Sequence, residues 1–284
     1  MFPSDVHRPA SLAEALALKA SLGGAGTWLA GGTDLVVGIR KERVSPRAFI
    51  DLTGVQGLDG VQEQAGQLRI GARCNHATLE RMGLGALSAA CETVGGPQIR
   101  NLGTIGGQLG TASPAGDVSV ALIALDATIE LQSTQGTRSM PLADFFVAPG
   151  RTQLRPDELV VAVTVPTDRR SAFYKIGKRD AVAISLVMAA VSVAPDGTVG
   201  IGVGCVAPVP LRCRNAEAHL RAHGLSAASI DEAARLASAE VRPISDHRGG
   251  ADYRRAMAGT LVRRLLRELV LGPDAAHAPH LEQA

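Results

Sequence analysis

Aromatic residues and an excess of charge of one sign are both scarce in this sequence. Of its 284 residues, only 3% are Phe, Trp or Tyr, and the formal net charge is +2. No stretch of Lys and Arg alternates with aromatic side chains, so the basic, stacking surface that is typical of nucleic-acid-binding proteins is missing. We therefore predict no nucleic-acid partner.

Cysteine pairs and long apolar runs are also missing. None of Cys74, Cys91, Cys205 and Cys213 forms a C-x-x-C pair, which argues against a zinc or iron–sulfur site in this chain. The first residues lack the apolar core of a signal peptide. The longest uncharged apolar run, 181–194, is shorter than the roughly 20 residues that span a bilayer. We predict a buried strand there, no membrane span, and a reducing, cytoplasmic setting.

Apolar residues make up 46% of the chain, enough for an ordinary globular core. Strands and helices are mixed in the first two thirds, with hairpin turns at Ala65-Gly66 and Gln135-Gly136. The last third has two strands around Pro195-Asp196-Gly197 and then helices. This order predicts an α+β fold. The predicted units are a βαβ-type lobe over 1–55, a second lobe over 56–168, a C-terminal domain over 169–272 and a tail over 273–284.

Two capping boxes predict helix starts. Ser11 is followed three residues later by Glu14, and this helix is predicted to end at Gly23-Gly24. Ser229 is followed in the same way by Glu232. A final helix is predicted over 253–271.

The segment Ala30-Gly-Gly-Thr-Asp-Leu35, the first glycine segment (30–35), lies between a predicted strand and a predicted helix. A helix N-terminus offers free N–H groups that suit a pyrophosphate, and Thr33 adds a hydroxyl. The pattern is neither the G-x-G-x-x-G dinucleotide motif nor a P-loop. An ordinary glycine turn before a helix explains it equally well.

The second glycine segment (104–117) runs from Thr104 to Asp117 and is predicted to be a surface loop between a helix and the apolar run 118–125. Its glycines allow backbone N–H groups to approach a ligand closely. Asp117 is interpreted as an acceptor for a ligand hydroxyl, or as a cap on the apolar run. Two such segments from two lobes are expected to clamp the diphosphate of a long dinucleotide.

The chain resembles the FAD-binding (medium) subunits of molybdenum hydroxylases, the family of xanthine dehydrogenase and aerobic carbon monoxide dehydrogenase. The resemblance lies first in the two glycine segments together with Gln98-Ile-Arg-Asn-Leu-Gly-Thr-Ile-Gly-Gly107. It continues in the segments Phe173-Tyr-Lys-Ile-Gly-Lys-Arg-Asp180, Val206-Ala-Pro-Val-Pro-Leu-Arg212 and Pro243-Ile-Ser-Asp-His-Arg248. It implies a two-lobed FAD-binding domain of the vanillyl-alcohol-oxidase type, followed by an α+β domain of the carbon monoxide dehydrogenase flavoprotein type.

The resemblance also implies the residues that contact FAD. The pyrophosphate would lie against 29–35 and against the start of the second glycine segment, and Asp117 would lie at the adenosine portion. The implied set is Leu29, Ala30, Gly31, Gly32, Thr33, Asp34, Leu35, Val94, Thr104, Ile105, Gly106, Gly107, Ser113, Asp117, Val160 and Lys175. Lys178, Arg179 and Asp180 would lie in a mobile segment near the flavin ring.

The sequence departs from the family pattern at Gln108, where the family commonly has Asn. No catalytic Ser-His-Asp set and no metal cluster is recognisable, and His76 is predicted to be a cap or a surface group. No signature of a covalent flavin link is present, so we predict non-covalent FAD.

The resemblance implies that this chain is an electron-transfer subunit. A large partner subunit would hold the molybdenum cofactor and a small one two [2Fe-2S] clusters, in a dimer of heterotrimers. Electrons would pass through this chain to NAD+, a quinone or oxygen, and xanthine dehydrogenase is the predicted subtype. The alternatives are a stand-alone flavin-dependent oxidoreductase and a non-enzymatic scaffold.

Overall fold

A computed structural model describes residues 5–272, beginning with a small parallel sheet. Its elements are β1 (Asp5–His7), α1 (Leu12–Leu22), β2 (Gly26–Leu29), α2 (Leu35–Arg40) and β3 (Ala48–Asp51). The strand order is β1-β3-β2. The Ser11 hydroxyl accepts the N–H of Glu14 at 3.2 Å, as predicted, whereas the Glu14 carboxylate accepts the N–H of Ala10 instead of that of Ser11.

The second sheet is antiparallel and contains both predicted hairpins. Its strands are β4 (Val61–Gln64), β5 (Gln67–Gly71), β6 (Thr128–Ser133), β7 (Gly136–Pro141) and β10 (Leu159–Pro166), in the order β4-β5-β10-β6-β7. Two short strands, β8 (Phe146–Ala148) and β9 (Arg151–Thr152), form a separate ribbon. The hairpin turn between β4 and β5 depends on Gly66, whose φ is +73°, because such a backbone favours glycine.

Five helices accompany this second sheet, and they correct the prediction of a glycine loop. They are α3 (His76–Glu80), α4 (Ala86–Glu92), α5 (Pro97–Leu102), α6 (Ile105–Thr111) and α7 (Asp117–Ala124). Most of the second glycine segment is therefore helical: the Thr104 hydroxyl accepts the N–H of Gly107 and starts α6. The apolar run after it is α7, which is buried along its whole length.

The C-terminal part is a second antiparallel sheet covered by long helices. Its elements are β11 (Arg170–Ile176), β12 (Val187–Val193), β13 (Val199–Gly204), β14 (Leu211–Arg212), α8 (Arg214–His223), α9 (Ala227–Glu240) and α10 (Ala251–Leu271). Helices α7 and α10 both pack on β12, so every residue of this strand is buried. A Cβ at Gly202 of β13 would lie 2.5 Å from the Val120 carbonyl oxygen, so this glycine lets α7 lie directly on the sheet.

Two local predictions were wrong in this part of the chain. The apolar run 181–194 is a strand only over β12, and Ile184 before it is 63% exposed. Helix α9 begins earlier than predicted. Its N-cap is Ser226, and Ser229 is the third residue of the helix, where it completes a capping box with Ser226. The predicted tail 273–284 lies outside the described residues. Among the residues described, no helix is long and apolar enough to cross a membrane.

Candidate functional site

A cleft of about 1050 Å³ lies between the small parallel sheet, helices α6 and α7, and the start of the C-terminal sheet. This volume is at the upper end of the range of roughly 300–1,000 Å³ that is typical of ligand sites. Both glycine segments contribute to its wall, and Lys175 of β11 closes one side. The two segments, which lie about seventy residues apart in the sequence, therefore share one cavity.

The first glycine segment offers free donors to this cleft. The N–H groups of Gly32, Thr33 and Asp34 have no acceptor among residues 5–272. Gly32 has a φ of +70°, which turns the chain after β2 and suits only glycine well. A Cβ at Gly31 would lie 1.7 Å from the carbonyl oxygen of Leu102, so the segment touches α5 directly. Three unpaired N–H groups in such a turn are suited to anionic oxygens.

The two glycine segments are joined across the cleft by one hydrogen bond. The hydroxyl of Thr111, near the end of α6, lies 3.1 Å from Oδ2 of Asp34 and 2.9 Å from the carbonyl oxygen of Gly107, so its single proton is shared between these two acceptors. Asp34 therefore has a partner in the protein and does not cap α2 with its side chain.

The second glycine segment differs because the N–H groups at the start of α6, residues 105–107, already have acceptors. The N–H of Ile105 binds the carbonyl of Cys74 at 3.0 Å, and that of Gly106 binds the carbonyl of Ala72 at 2.8 Å. The N–H of Gly107 binds the Thr104 hydroxyl at 3.2 Å. A Cβ at Gly106 would lie 2.6 Å from the Cβ of Ala72. Gly106 therefore serves close packing of α6 on the residues that follow β5.

Asp117 is the centre of a buried ion-pair cluster. Its Oδ2 accepts hydrogen bonds from Lys175 Nζ at 2.6 Å and from the Thr93 hydroxyl at 3.1 Å. Its Oδ1 accepts one from the Ser185 hydroxyl at 2.8 Å. Burial raises the pKa of the Asp117 carboxyl, and the Lys175 ammonium opposes that rise. A ligand hydroxyl at Asp117 would have to share oxygens that these three donors already use.

His76 is buried rather than exposed, and it is not the cap of its helix. It is 3% exposed, and the preceding Asn75 caps α3 by accepting the N–H of Thr78 at 2.8 Å. Burial, together with the nearby Arg100 guanidinium, lowers the pKa of His76 to about 4. The ring is therefore neutral at pH 7 and forms part of the cleft wall.

Most of the residues implied by the family resemblance line the cleft. Those on its wall are Ala30, Gly31, Gly32, Thr33, Asp34, Leu35, Val94, Thr104, Gly106, Gly107, Ser113, Asp117, Val160 and Lys175. Leu29 and Ile105 do not line it, and Ile105 is completely buried. The segment 178–180, which the resemblance also implies near the flavin, is held partly by Lys178. The Lys178 ammonium donates to the carbonyl of His247 at 2.6 Å.

The cleft also contains residues that the sequence patterns did not single out. Ser185 and Arg248 come from the C-terminal part. Arg248 is fixed by Asp246, whose Oδ2 accepts from its Nε at 3.0 Å. Burial would raise the pKa of Asp246, but hydrogen bonds from Arg248 and Arg254 outweigh it and hold that pKa well below its usual range. The segment around Arg248 carries a family resemblance, but no local pattern predicts that it reaches the cleft.

The cysteines are buried free thiols. Burial raises the pKa of Cys91 and of Cys205 to about 12, so both are protonated at pH 7. Within residues 5–272 no group of three or more His, Cys, Asp or Glu side chains is placed to hold a metal ion.

Two known protein families match this chain, and together they cover almost all of it. Residues 2–168 match the FAD-binding domain in molybdopterin dehydrogenase. Residues 172–269 match the carbon monoxide dehydrogenase flavoprotein C-terminal domain. The predicted order of an FAD-binding domain followed by a flavoprotein C-terminal domain is thereby confirmed.

Curated relatives and a solved structure support the same relationship. The carbon monoxide dehydrogenase medium chain of Afipia carboxidovorans is 34% identical over 271 residues, which cover 92% of this chain and 94% of the relative. The xanthine dehydrogenase FAD-binding subunit of Escherichia coli is 30% identical over 281 residues, covering 94% and 96%. A structure of carbon monoxide dehydrogenase from Hydrogenophaga pseudoflava, which lacks the Mo-pyranopterin moiety, superposes with a TM-score of 0.87 at 31% identity, covering 97% of this chain and 98% of that one.

Proposed function

This chain belongs to the family of FAD-binding medium subunits of molybdenum hydroxylases, and on that premise we propose that it is the electron-output subunit of such a complex. A single observation carries the proposal. The cleft presents three unpaired N–H groups at Gly32, Thr33 and Asp34, in a cavity of about 1050 Å³. This donor set suits a diphosphate, and the cavity is large enough for a dinucleotide.

We assign distinct tasks to the residues around the cofactor. The first glycine segment supplies N–H donors to the pyrophosphate. The start of α6 in the second glycine segment supplies a close-packed wall, since the N–H groups of residues 105–107 are used within the protein. Val94, Val160 and Lys175 complete the wall. Leu29 and Ile105 support this wall from behind it. FAD bound there supplies the capacity to take up electrons singly and release them in pairs.

The proposed partners follow from the same premise. We propose that the chain docks with a large subunit that holds the molybdenum cofactor and a small subunit that holds two [2Fe-2S] clusters, in a dimer of heterotrimers. Within such an assembly this chain would receive electrons from the clusters and deliver them to NAD+ or another acceptor. Four buried free thiols suit the reducing conditions of the cytoplasm, where we place the complex.

The substrate of the complex is a finer question. Xanthine dehydrogenase is the subtype predicted from the sequence, but identity to the carbon monoxide dehydrogenase medium chain is 34% against 30% to the xanthine dehydrogenase subunit. We retain a purine substrate as the first candidate to test. The substrate pocket belongs to the large subunit under this proposal, so the cleft of this chain does not select between the two.

A matched pair of glycine substitutions tests the cofactor site. Gly32 and Gly66 have φ values of +70° and +73°, and a Cβ at either position meets no atom closer than 3.4 Å. Gly32→Ala and Gly66→Ala should therefore lose similar stability, about 1 kcal/mol. Only Gly32→Ala should weaken FAD binding, by about tenfold, because it turns the free N–H groups away. Equal FAD dissociation constants for the two variants would refute the proposal that the N–H groups of the first glycine segment bind the pyrophosphate.

Reconstitution of the complex tests the electron route. The chain is co-purified with its partners and mixed with purines, aldehydes, N-heterocycles or carbon monoxide. We expect a substrate to bleach the flavin absorbance and to reduce NAD+ or another acceptor only when all subunits are present. Turnover of a substrate by the isolated chain would favour the stand-alone oxidoreductase, and absence of flavin from the complex would favour the scaffold.

A further inference from the structure

The N-terminus of α7 has no capping side chain of its own. Gly116 occupies the N-cap position, and the N–H groups of Asp117 and Val118 have no acceptor in the backbone of residues 5–272. Gln108 of α6 lies opposite them. With its amide oriented to satisfy its neighbours, Gln108 Oε1 accepts from Val118 at 3.1 Å and from Asp117 at 3.2 Å. A side chain from another helix thereby caps α7.

The other end of the same amide meets His76. In this orientation the Gln108 nitrogen donates to His76 Nε2 at 3.3 Å. That nitrogen must then be unprotonated, so the ring proton lies on Nδ1, which faces Cys91 Sγ at 4.0 Å. Gln108 therefore connects the start of α7 to a ring on α3, and each amide atom has a partner of the right kind.

Two glycines keep space for this arrangement. A Cβ at Gly116 would lie 3.2 Å from the Gln108 amide oxygen in this orientation, and a Cβ at Gly103 would lie 3.0 Å from His76 Cδ2. Both distances are tighter than most contacts of real Cβ atoms. The bare backbone at these two positions therefore accommodates the Gln108 and His76 side chains.

We propose that Gln108 is a positioning residue of the FAD cleft: its amide ties the N-terminus of α7, and with it Asp117 and Lys175, to a neutral His76 on the cleft wall. The proposal rests on the proposed function, because it assigns a role within the same cofactor site. Arg100 of α5, which is paired with Glu80 of α3 at 2.7 Å, is a charged group that acts on the ring, and Asp117 of α7 is paired with Lys175.

The length of the side chain matters for this role. Gln108 reaches from α6 to two N–H groups and one ring nitrogen at distances of 3.1–3.3 Å. Asn, the residue that the family commonly has here, is one methylene shorter. In this chain an Asn would lose the contact to His76 or the contact to α7.

Three variants at this position separate the two contacts. Gln108→Leu removes both of them. Gln108→Asn shortens the reach. Gln108→Glu retains an oxygen for the α7 N–H groups but places a carboxylate oxygen against His76 Nε2, which must then gain a proton. Gln62→Leu on the exposed strand β4 is the matched control.

The ring state of His76 is measured by ¹⁵N chemical shifts of histidine-labelled full-length chain at pH 7, assigned with His76→Gln. We expect the Nδ1–H tautomer in the wild type and in Gln62→Leu, a mixture of tautomers in Gln108→Leu, and a proton on Nε2 in Gln108→Glu, in the neutral Nε2–H tautomer or in the imidazolium. The FAD dissociation constant, measured on the same samples, should rise about tenfold in Gln108→Leu and about threefold in Gln108→Asn.

The proposal is overturned if His76 keeps the Nδ1–H tautomer in Gln108→Leu, or if Gln108→Glu leaves Nε2 unprotonated and FAD binding unchanged. Should Gln108→Leu fail to fold, Gln108→Glu decides the question alone, since it retains the cap on α7. A wild-type chain that binds no FAD would refute the proposed function. A wild-type chain that binds FAD with the same affinity as Gln108→Leu would refute only the role of Gln108.

Discussion

The two glycine segments look alike in the sequence but use their glycines in opposite ways. In the first, the N–H groups of 32–34 are free and directed by a left-handed turn at Gly32. In the second, the N–H groups of 105–107 are bound within the protein, and Gly106 lets α6 pack against Ala72. A glycine-rich stretch therefore predicts close approach of the backbone, but it does not say whether a ligand or the protein itself approaches.

The difference comes from the acceptors that lie beside each segment. The first N–H groups of any helix have no acceptor within that helix. In α6 those of Ile105 and Gly106 bind the carbonyls of Cys74 and Ala72, and Thr104 caps the third, whereas within residues 5–272 no such acceptor lies beside the N–H groups of 32–34. Three substitutions and one pH profile test this division, in order of decreasing expected effect.

Gly31→Ala should have the largest effect, because Gly31 is where the first glycine segment touches the end of α5, the helix that leads into the second glycine segment. The new Cβ would lie 1.7 Å from the Leu102 carbonyl oxygen, a backbone atom that cannot rotate away. We expect a loss of about 4 kcal/mol in the free energy of unfolding and a loss of FAD binding. Urea unfolding and flavin absorbance measure the two. Wild-type stability would mean that Gly31 and Leu102 are not in contact.

Lys175→Met should lower the free energy of unfolding by about 3–4 kcal/mol. It leaves the carboxylate of Asp117, the last residue of the second glycine segment, buried without its cation. The side chains of the pair are only 10% and 6% exposed. Urea unfolding should show partial recovery in the double variant with Asp117→Asn, which removes the unpaired charge. Arg235→Met breaks the exposed pair with Glu232 and should leave the unfolding midpoint unchanged. Equal effects of the two substitutions would contradict the importance of burial.

Lowering the pH should reduce the free energy of unfolding, because His76 is buried in its neutral form. Its pKa is about 4 in the folded chain and about 6.5 when unfolded, so the unfolded chain binds more protons between these values. The stability that His76 maintains is therefore complete above about pH 6.5 and falls as the pH drops toward 4, by about 3 kcal/mol. His76→Gln should lose less stability than the wild type over this range in chemical unfolding. Parallel profiles for His76→Gln and the wild type would contradict this.

Gly110→Ala should have the smallest effect on the fold. It tests whether FAD approaches the backbone of α6 at a position where no protein atom does. Gly110 lies in α6 and lines the cleft, and a Cβ added there would meet no atom within 4 Å. Alanine in a helix should add about 0.5–1 kcal/mol and raise Tm by about 2 °C. If FAD approaches the backbone here, its dissociation constant should still rise about fivefold. Calorimetry and flavin titration give the two numbers, and unchanged FAD affinity would place the cofactor away from α6.

Local patterns predicted the elements whose signals are local. The hairpin at Gly66 needs a positive φ, and the start of α1 needs the hydroxyl of Ser11, so a few neighbouring residues suffice. Helix α6 was missed because its glycines favour a loop by propensity, whereas packing against Ala72 and the Thr104 cap outweigh that cost. The run 181–194 was only half a strand because apolar composition does not record that Ile184 faces solvent.

The sequence by itself determined the family, the order of the domains and the two glycine segments, because each is written in residues that are close together in the chain. Only the tertiary structure decided which N–H groups remain free, that both oxygens of Asp117 are already bound, and that His76 is neutral and buried. These properties depend on partners such as Lys175, which lies far along the chain and reaches the cleft only when β11 packs beside α4. Hydrogen bonding and desolvation act over only a few ångströms, so these properties arise only after folding has brought the partners together.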